Sequence, residues 1–250
     1  MEEWKARVYA AYAEVPAPGS GHPGNQARRR AADRRDYARR YGRFLPRDKT
    51  APVLDIGCGT GGFVETLRSL GYTNVEGIDV SASQVEAATA RGITGITLAS
   101  AVDYLQGRAG RYTLITTFSV LEHQTRAELF ELLDAIRSAL RPGGTLMAVV
   151  PNAKGLFGAH VRFADITHES SFAPGSIIQI CHVAGVQLVA ILEHGPIVHG
   201  LASAVRWAVW QTIRAALLAA RVAEGGDWRW PVFTQDLVFV ARKPIDGDIA

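Results

Sequence analysis

Between residues 50 and 150 the apolar positions alternate between short unbroken runs and stripes recurring every three or four residues, which predicts strands and helices in turn. The run opening at Pro52 is the first strand. Phe63, Val64, Leu67 and Leu70 form a helical stripe that stops at Gly71. Val75 to Val80 reads as the second strand, and Ser81 with Gln84 has the spacing of a capping box for a helix ending near Gly92. Ile93 to Leu98 is the third strand. Tyr112 to Phe118, rich in β-branched and aromatic residues, suits a buried fourth strand. Thr125 and Glu128 repeat the capping-box spacing ahead of Leu129, Leu132, Leu133, Ile136 and Leu140, a long amphipathic helix that Pro142-Gly143-Gly144 should end. Thr145 to Val150 is the fifth strand.

Beyond Pro151 the periodicity loosens. Residues 152 to 173 suit a loop over a site, Pro174 to Val183 a helix, Val186 to Leu192 a strand and Val232 to Ala241 a last strand. Between these strands, residues 201 to 222 carry Trp207, Trp210, Ile213, Leu217 and Leu218, with Arg206, Arg214 and Arg221 at helical spacing. One face is basic and the others apolar, which fits packing as a cap or homodimer helix, or peripheral contact with an anionic membrane. The order of elements predicts an α/β fold, Rossmann-like and doubly wound. Its mostly parallel seven-stranded sheet carries N-terminal helices, a C-terminal helical insertion and ligands at the carboxyl ends of the strands.

Composition narrows this to one domain. A chain of 250 residues with 48% hydrophobic content can bury one sizeable core plus embellishments. Two cysteines, Cys58 and Cys181, make no disulfide framework and suit a reducing compartment, so the cytoplasm is the expected location. The charged N-terminus lacks the run of a signal peptide, and no stretch of about 20 apolar residues is free of charge. The net charge is +3, yet Arg28, Arg29, Arg30, Arg34, Arg35, Arg39, Arg40 and Arg43 crowd one segment. Asp33 and Asp36 interleave with them as on a solvated helix. One arginine could serve an anionic ligand, and a nucleic-acid-binding alternative would use the whole run, although no nucleic-acid partner is expected.

The chemistry concentrates at Pro52 to Phe63, PVLDIGCGTGGF. Gly57, Gly59 and Gly62 satisfy G-x-G-x-x-G after a strand, with Asp79 about 20 residues on at the end of the next strand. Such a turn seats either a dinucleotide or S-adenosylmethionine (SAM). Asp55 separates them, because a carboxylate repels a pyrophosphate and attracts an ammonium and a sulfonium. The reading is SAM rather than a nicotinamide cofactor.

VLDIGCGTGGF, GIDVS, FSVLEH and LRPGGTLMAVVPN, in this order, resemble the class I SAM-dependent methyltransferases over roughly residues 50 to 152. FGAHVRFADITHESSFAPGSI, GPIVHGLASAVRW and FTQDLVFVARKP resemble those of bacterial surface-polysaccharide and glycolipid pathways. The resemblance implies a helical cap at 1–45, a SAM-binding core at 50–152 and acceptor-side insertions at 153–173 and 194–230. It implies a SAM site of Asp55, Gly57, Cys58, Gly59, Gly62, Asp79, Val80, Ser100, Ala101, Phe118 and Ser119, with Asp79 on the ribose and Val80 against adenine. Where the family often has an aspartate near adenine this chain has Ser100, and strand four has Thr113 in place of another.

The implied reaction is methyl transfer from SAM to a hydroxyl of a saccharide, polysaccharide precursor or glycolipid; a quinone or small lipid-like acceptor is the alternative. Sugar hydroxyls are weakly acidic, so a base or a metal should help. His123, at the rim after strand four, and the cluster Asp165, His168 and Glu169 in ADITHE are the catalytic candidates, as bases or as loop-structuring groups. Asp165 and His168 are also weak ligands for a divalent ion such as Mg, although their spacing defines no metal motif. His199 is a further acceptor-binding candidate or a turn residue. Tyr9 and Tyr12, three apart on an N-terminal helix, could close over the cofactor.

Overall fold

The computed structural model describes residues 3–11, 35–225 and 229–245. Arg28, Arg29, Arg30, Arg34 and Tyr12 lie outside these residues. Seven strands form one sheet in the order β3-β2-β1-β4-β5-β7-β6. They are β1 Val53–Ile56, β2 Val75–Asp79, β3 Ile96–Leu98, β4 Tyr112–Phe118, β5 Leu140–Pro151, β6 Gln187–Glu193 and β7 Asp236–Arg242. All neighbours from β3 to β5 pair in parallel, and β7 is antiparallel to both β5 and β6. The chain order reverses on either side of β1 and β4, so their carboxyl ends open a crevice.

The helices are α1 Glu3–Ala10, α2 through residues 35–41, α3 Gly62–Ser69, α4 Ala82–Ala90, α5 Ala101–Leu105, α6 Arg126–Ala139, α7 Gly158–Ala164, α8 Pro174–Val183 and α9 Leu201–Ala223. Both faces of the sheet are covered, as a sheet buried on both sides requires. Leu54, Ile115, Leu132, Ile136, Ile177 and Phe239 belong to the core on one face, and Val53, Val64, Leu67, Leu114, Met147 and Tyr41 to the core on the other. Capping chemistry sets the helix starts. Thr125 and Glu128 form a full capping box on α6, whereas Ser81 accepts from the Gln84 N–H without the reciprocal bond.

Four boundaries differ from the pattern reading, each for a local reason. Leu140 already pairs with Tyr112, so β5 begins before the Pro142-Gly143-Gly144 break, which becomes an irregularity with Gly143 at φ 74°. Only Ile96–Leu98 of the third run pairs with β2. Residues 232–235 stay outside β7 because the Asn152 side chain takes the carbonyls of Val232 and Thr234, at 3.1 and 2.8 Å. The expected loop at 152–173 contains α7.

α9 departs most from expectation. Only Ser203 along it is fully buried, while Leu201, Val205, Val209 and Val222 are more than half exposed. Part of its basic face is turned to the body. Arg214 pairs with Glu193 at 3.1 Å and Arg221 donates to the Trp230 carbonyl, so these two arginines anchor the helix while Arg206 stays exposed and an apolar face looks outward. Arg40 donates to the Gly195 carbonyl at 2.9 Å, bracing the segment that leads into α9 rather than reaching a ligand. Among the described residues no helix is long and apolar enough to cross a membrane.

Gly77 in β2 is fixed by lack of space. A Cβ there would lie 2.6 Å from Ile96 Cδ1 and 2.9 Å from Cys58 Sγ. Gly77→Ala is expected to destabilise the fold by about 1–3 kcal/mol, measured by thermal or urea unfolding. An unchanged midpoint would contradict the packing described.

Candidate active site

The turn after β1 is built on backbone conformations that glycine alone adopts without strain. Gly57 and Gly59 have φ of 69° and 53°, and a Cβ on Gly57 would meet Val120 Cγ2 at 2.3 Å. Asp79, at the end of β2, fixes the turn by accepting from the Gly59 N–H and the Ser81 N–H, each at 2.8 Å. Burial raises its carboxyl above the ordinary range, and these donors oppose the rise.

Beside the turn lies a cavity of about 480 Å³. Gly57, Gly59, Asp79, Val80, Ser100 and Ala101 line one part of it, and Lys5, Tyr9, Ser119, Val120 and His123 another. Ser119 has φ 56°, a conformation uncommon outside glycine, where β4 delivers the chain to the cavity. Ser100 caps α5, accepting from the Asp103 N–H and donating to its carboxylate at 2.7 Å.

Four of the expected cofactor residues do not line the cavity. Phe118 turns to the opposite face and packs against Tyr37, Tyr41 and Phe63. Gly62 is the first residue of α3, and Cys58 is buried under the turn with its sulfur toward Gly77. Asp55 lies behind the turn, only 3% exposed, and accepts from Thr116 Oγ1 at 2.6 Å. Burial pushes its carboxyl up to about 7, so the attraction read from sequence does not come from a carboxylate on the cavity wall.

At the His123 side of the cavity two distant segments meet. The turn Leu121–His123 follows β4, and the Glu122 carbonyl accepts from the N–H groups of Glu169 and Ser170, at 2.7 and 3.1 Å. These bonds bring His168 to His123, with ring centroids 4.7 Å apart. His123 Nδ1 lies 2.7 Å from Thr167 Oγ1, and Thr167 Oγ1 donates to Asp165 Oδ1 at 2.6 Å. Asp165 therefore organises the turn and orients His123 through Thr167. Glu169 is held by Lys5 at 2.8 Å, so it does not stand with the imidazoles as a proton-handling group. Burial lowers His123 to about 4, with the neighbouring His168 adding to the effect, and burial raises Glu122 to about 8.

Sequence reasoning missed Glu122 and Lys5. Glu122 is 1% exposed and Lys5 4%, and Lys5 also donates to the His123 carbonyl at 3.1 Å. A lone lysine on a short amphipathic helix carries no signal of burial; the LEH motif contained Glu122, but its neighbour His123 drew the attention. Tyr9 lines the cavity as expected, its ring 6.2 Å from that of His123. His199 is a turn residue whose N–H donates to Ser203 Oγ, and it is not on the cavity wall.

A family described as "Methyltransferase domain" matches residues 27–191. The chain belongs to this family. The methyltransferase uses SAM, and the residues present fit that donor: a glycine cradle that a Cβ would fill, and a half-buried carboxylate at the end of β2 facing a cavity of suitable size. It is 30% identical to the ubiquinone biosynthesis O-methyltransferase of Chelativorans sp. (strain BNC1) over 104 residues, 40% of each chain. It is 35% identical to that of Paraburkholderia xenovorans (strain LB400) over 97 residues, 37% of this chain and 40% of that one. The chain thus spans about 40% of the length of these curated relatives. The crystal structure of a SAM-dependent methyltransferase from Archaeoglobus fulgidus superposes with a TM-score of 0.61 at 22% identity, over 84% of this chain and 94% of that one. The putative methyltransferase in complex with the Haloferax volcanii Trm112 activator gives 0.63 at 17% identity, over 94% and 97%. At these identities the likeness is one of fold.

Two substitutions examine the turn. Gly57→Ala should weaken S-adenosylhomocysteine binding at least tenfold by calorimetry while the circular dichroism stays native, because the methyl group collides with Val120. For Asp55 the folded-state pKa lies above the unfolded value of about 3.9. Its contribution to stability is therefore present below that value and lost as pH rises through about 7. Asp55→Asn should flatten this part of the stability profile between about pH 4 and 7, and an unchanged slope would show that the group titrates normally.

Proposed function

We propose that this methyltransferase moves the methyl group of SAM to a hydroxyl of a carbohydrate carried on a lipid. The observation that carries this reading is a group of polar side chains in an otherwise largely apolar cavity: Lys5, Tyr9, Ser119, His123 and Gln124 line it beside Val120 and Leu132, and the 165–170 segment packs behind them. A sugar offers many hydroxyls to these polar groups, and the apolar part of the wall suits the cofactor and the ring faces. The exposed apolar face of α9 supports a lipid-borne acceptor, since it would let the protein rest at a membrane surface. On this reading α1 caps the cavity, and residues 153–173 and 194–230 are the acceptor-side elements.

When bound, SAM supplies an electrophilic methyl group on a sulfonium. The protein aligns the hydroxyl oxygen with that methyl and promotes loss of the hydroxyl proton beside His123, which lines the cavity with His168 packed against its ring. Carboxylates elsewhere in ADITHE act on the imidazoles indirectly, Asp165 through Thr167 and Glu169 through Lys5.

The ubiquinone biosynthesis relatives favour a second reading, transfer to the hydroxyl of a quinone precursor. Incubation with labelled SAM and a panel of glycolipids, free saccharides and phenolic lipids separates the two. Label in the phenolic arm alone would sink the carbohydrate reading. His168→Ala should lower turnover about a hundredfold or more, within the usual range for removing a proton-handling group, with the S-adenosylhomocysteine affinity within about twofold of the parent. Equal loss of both would mean that the substitution damages the fold instead.

A further inference from the structure

Resting on the hydroxyl-acceptor reading, we propose that Glu122, His123 and His168 form a binding site for one divalent transition-metal ion that activates the acceptor hydroxyl. Each residue offers one ligand atom, and the three atoms lie within 4.8 Å of one another. Ligands on a tetrahedral ion with bonds of about 2.0–2.1 Å sit roughly 3.3 Å apart, so small side-chain adjustments close the site.

The hydrogen bonds behind the rings decide which nitrogens face the ion. Thr167 Oγ1 gives its proton to Asp165, a carboxylate that can only accept, so the bond between Thr167 and His123 must run from His123 Nδ1–H. His168 Nδ1 lies 3.1 Å from the Val161 carbonyl, which also can only accept. Both rings therefore carry the proton on Nδ1 and present an Nε2 lone pair. A threonine–carboxylate relay and a backbone carbonyl are the kinds of partner that fix ligating imidazoles.

Glu122 supplies an independent observation. It is 1% exposed, and its Oε2 has no hydrogen-bond partner among the described residues. A buried carboxyl oxygen left without a partner is costly, and a cation beside two neutral imidazoles would remove that cost. The carbonyl of the same residue holds the 168–170 segment, so the third ligand arrives on a tether fixed by the first.

Two imidazoles and one carboxylate suit zinc, cobalt, iron or manganese, and this set replaces the Asp165–His168 pairing and the Mg expected from sequence. Three protein ligands leave a coordination position for the acceptor oxygen. The bound hydroxyl loses its proton to solvent water. Its electron pair then forms the new O–CH₃ bond as the C–S bond breaks and that pair returns to sulfur, leaving the uncharged thioether.

The test loads chelator-stripped protein with cobalt(II) and follows its visible absorption, with zinc calorimetry alongside. One ion per chain at micromolar affinity is expected, and Glu122→Gln and His168→Gln should each weaken it at least tenfold while S-adenosylhomocysteine affinity and melting temperature stay near the parent. If Glu122→Gln fails to fold, His168→Gln and Thr167→Val carry the test, the latter by freeing the His123 ring. Absence of cobalt binding below millimolar, or binding that survives these substitutions, overturns the site. Hydroxyl methylation by metal-free protein would sink the metal and leave the carbohydrate reading standing. Metal uptake by a protein that methylates no hydroxyl would do the reverse.

Discussion

One carbonyl holds the acceptor end of this protein together. The Glu122 oxygen accepts two N–H groups from residues 169 and 170, so a turn at the end of β4 and a segment more than 40 residues later become one unit. From this pairing follow the approach of His168 to His123, the placement of Thr167 behind the His123 ring and the seat for Lys5. Without it the imidazoles would sit on separate loops, and the entropy of ordering each would fall on a single contact.

The cofactor end rests on a different device, a carboxylate that clamps the glycine turn. Asp79 gathers N–H groups from the turn after β1 and from the start of α4, tying two crossovers of the parallel sheet together at their open ends. Val120 then fills the space that Gly57 leaves. The same residue precedes the Leu121–His123 turn, so the two parts of the cavity share a wall. Asp55 contributes from behind: buried and bonded to Thr116, it braces the floor of the turn.

The outer elements carry their polarity in an unusual sense. α9 directs Arg214 inward to Glu193 and leaves leucine and valine outside, the reverse of a helix that merely covers a core. Charge thereby fixes the helix to the body while its apolar surface stays available. That arrangement accords with an acceptor whose reactive hydroxyl is polar and whose carrier is not.

The alternation of runs and stripes carried the sheet, because strands buried on both faces must be continuously apolar and the helices between them must be one-sided. The glycine turn and Asp79 were legible for a related reason: positive φ and close approach leave few alternatives to glycine, and the motif is local. The inward turn of Arg214 and Arg221 on α9, the facing of Phe118 away from the cavity and the joining of Glu122, His123 and His168 were decided only in three dimensions. Side-chain direction depends on which neighbour supplies a partner, and those partners, Glu193, the Tyr37–Tyr41–Phe63 cluster and the 165–170 segment, lie far away along the chain. Local pattern specifies what each segment becomes; only packing specifies whom it meets.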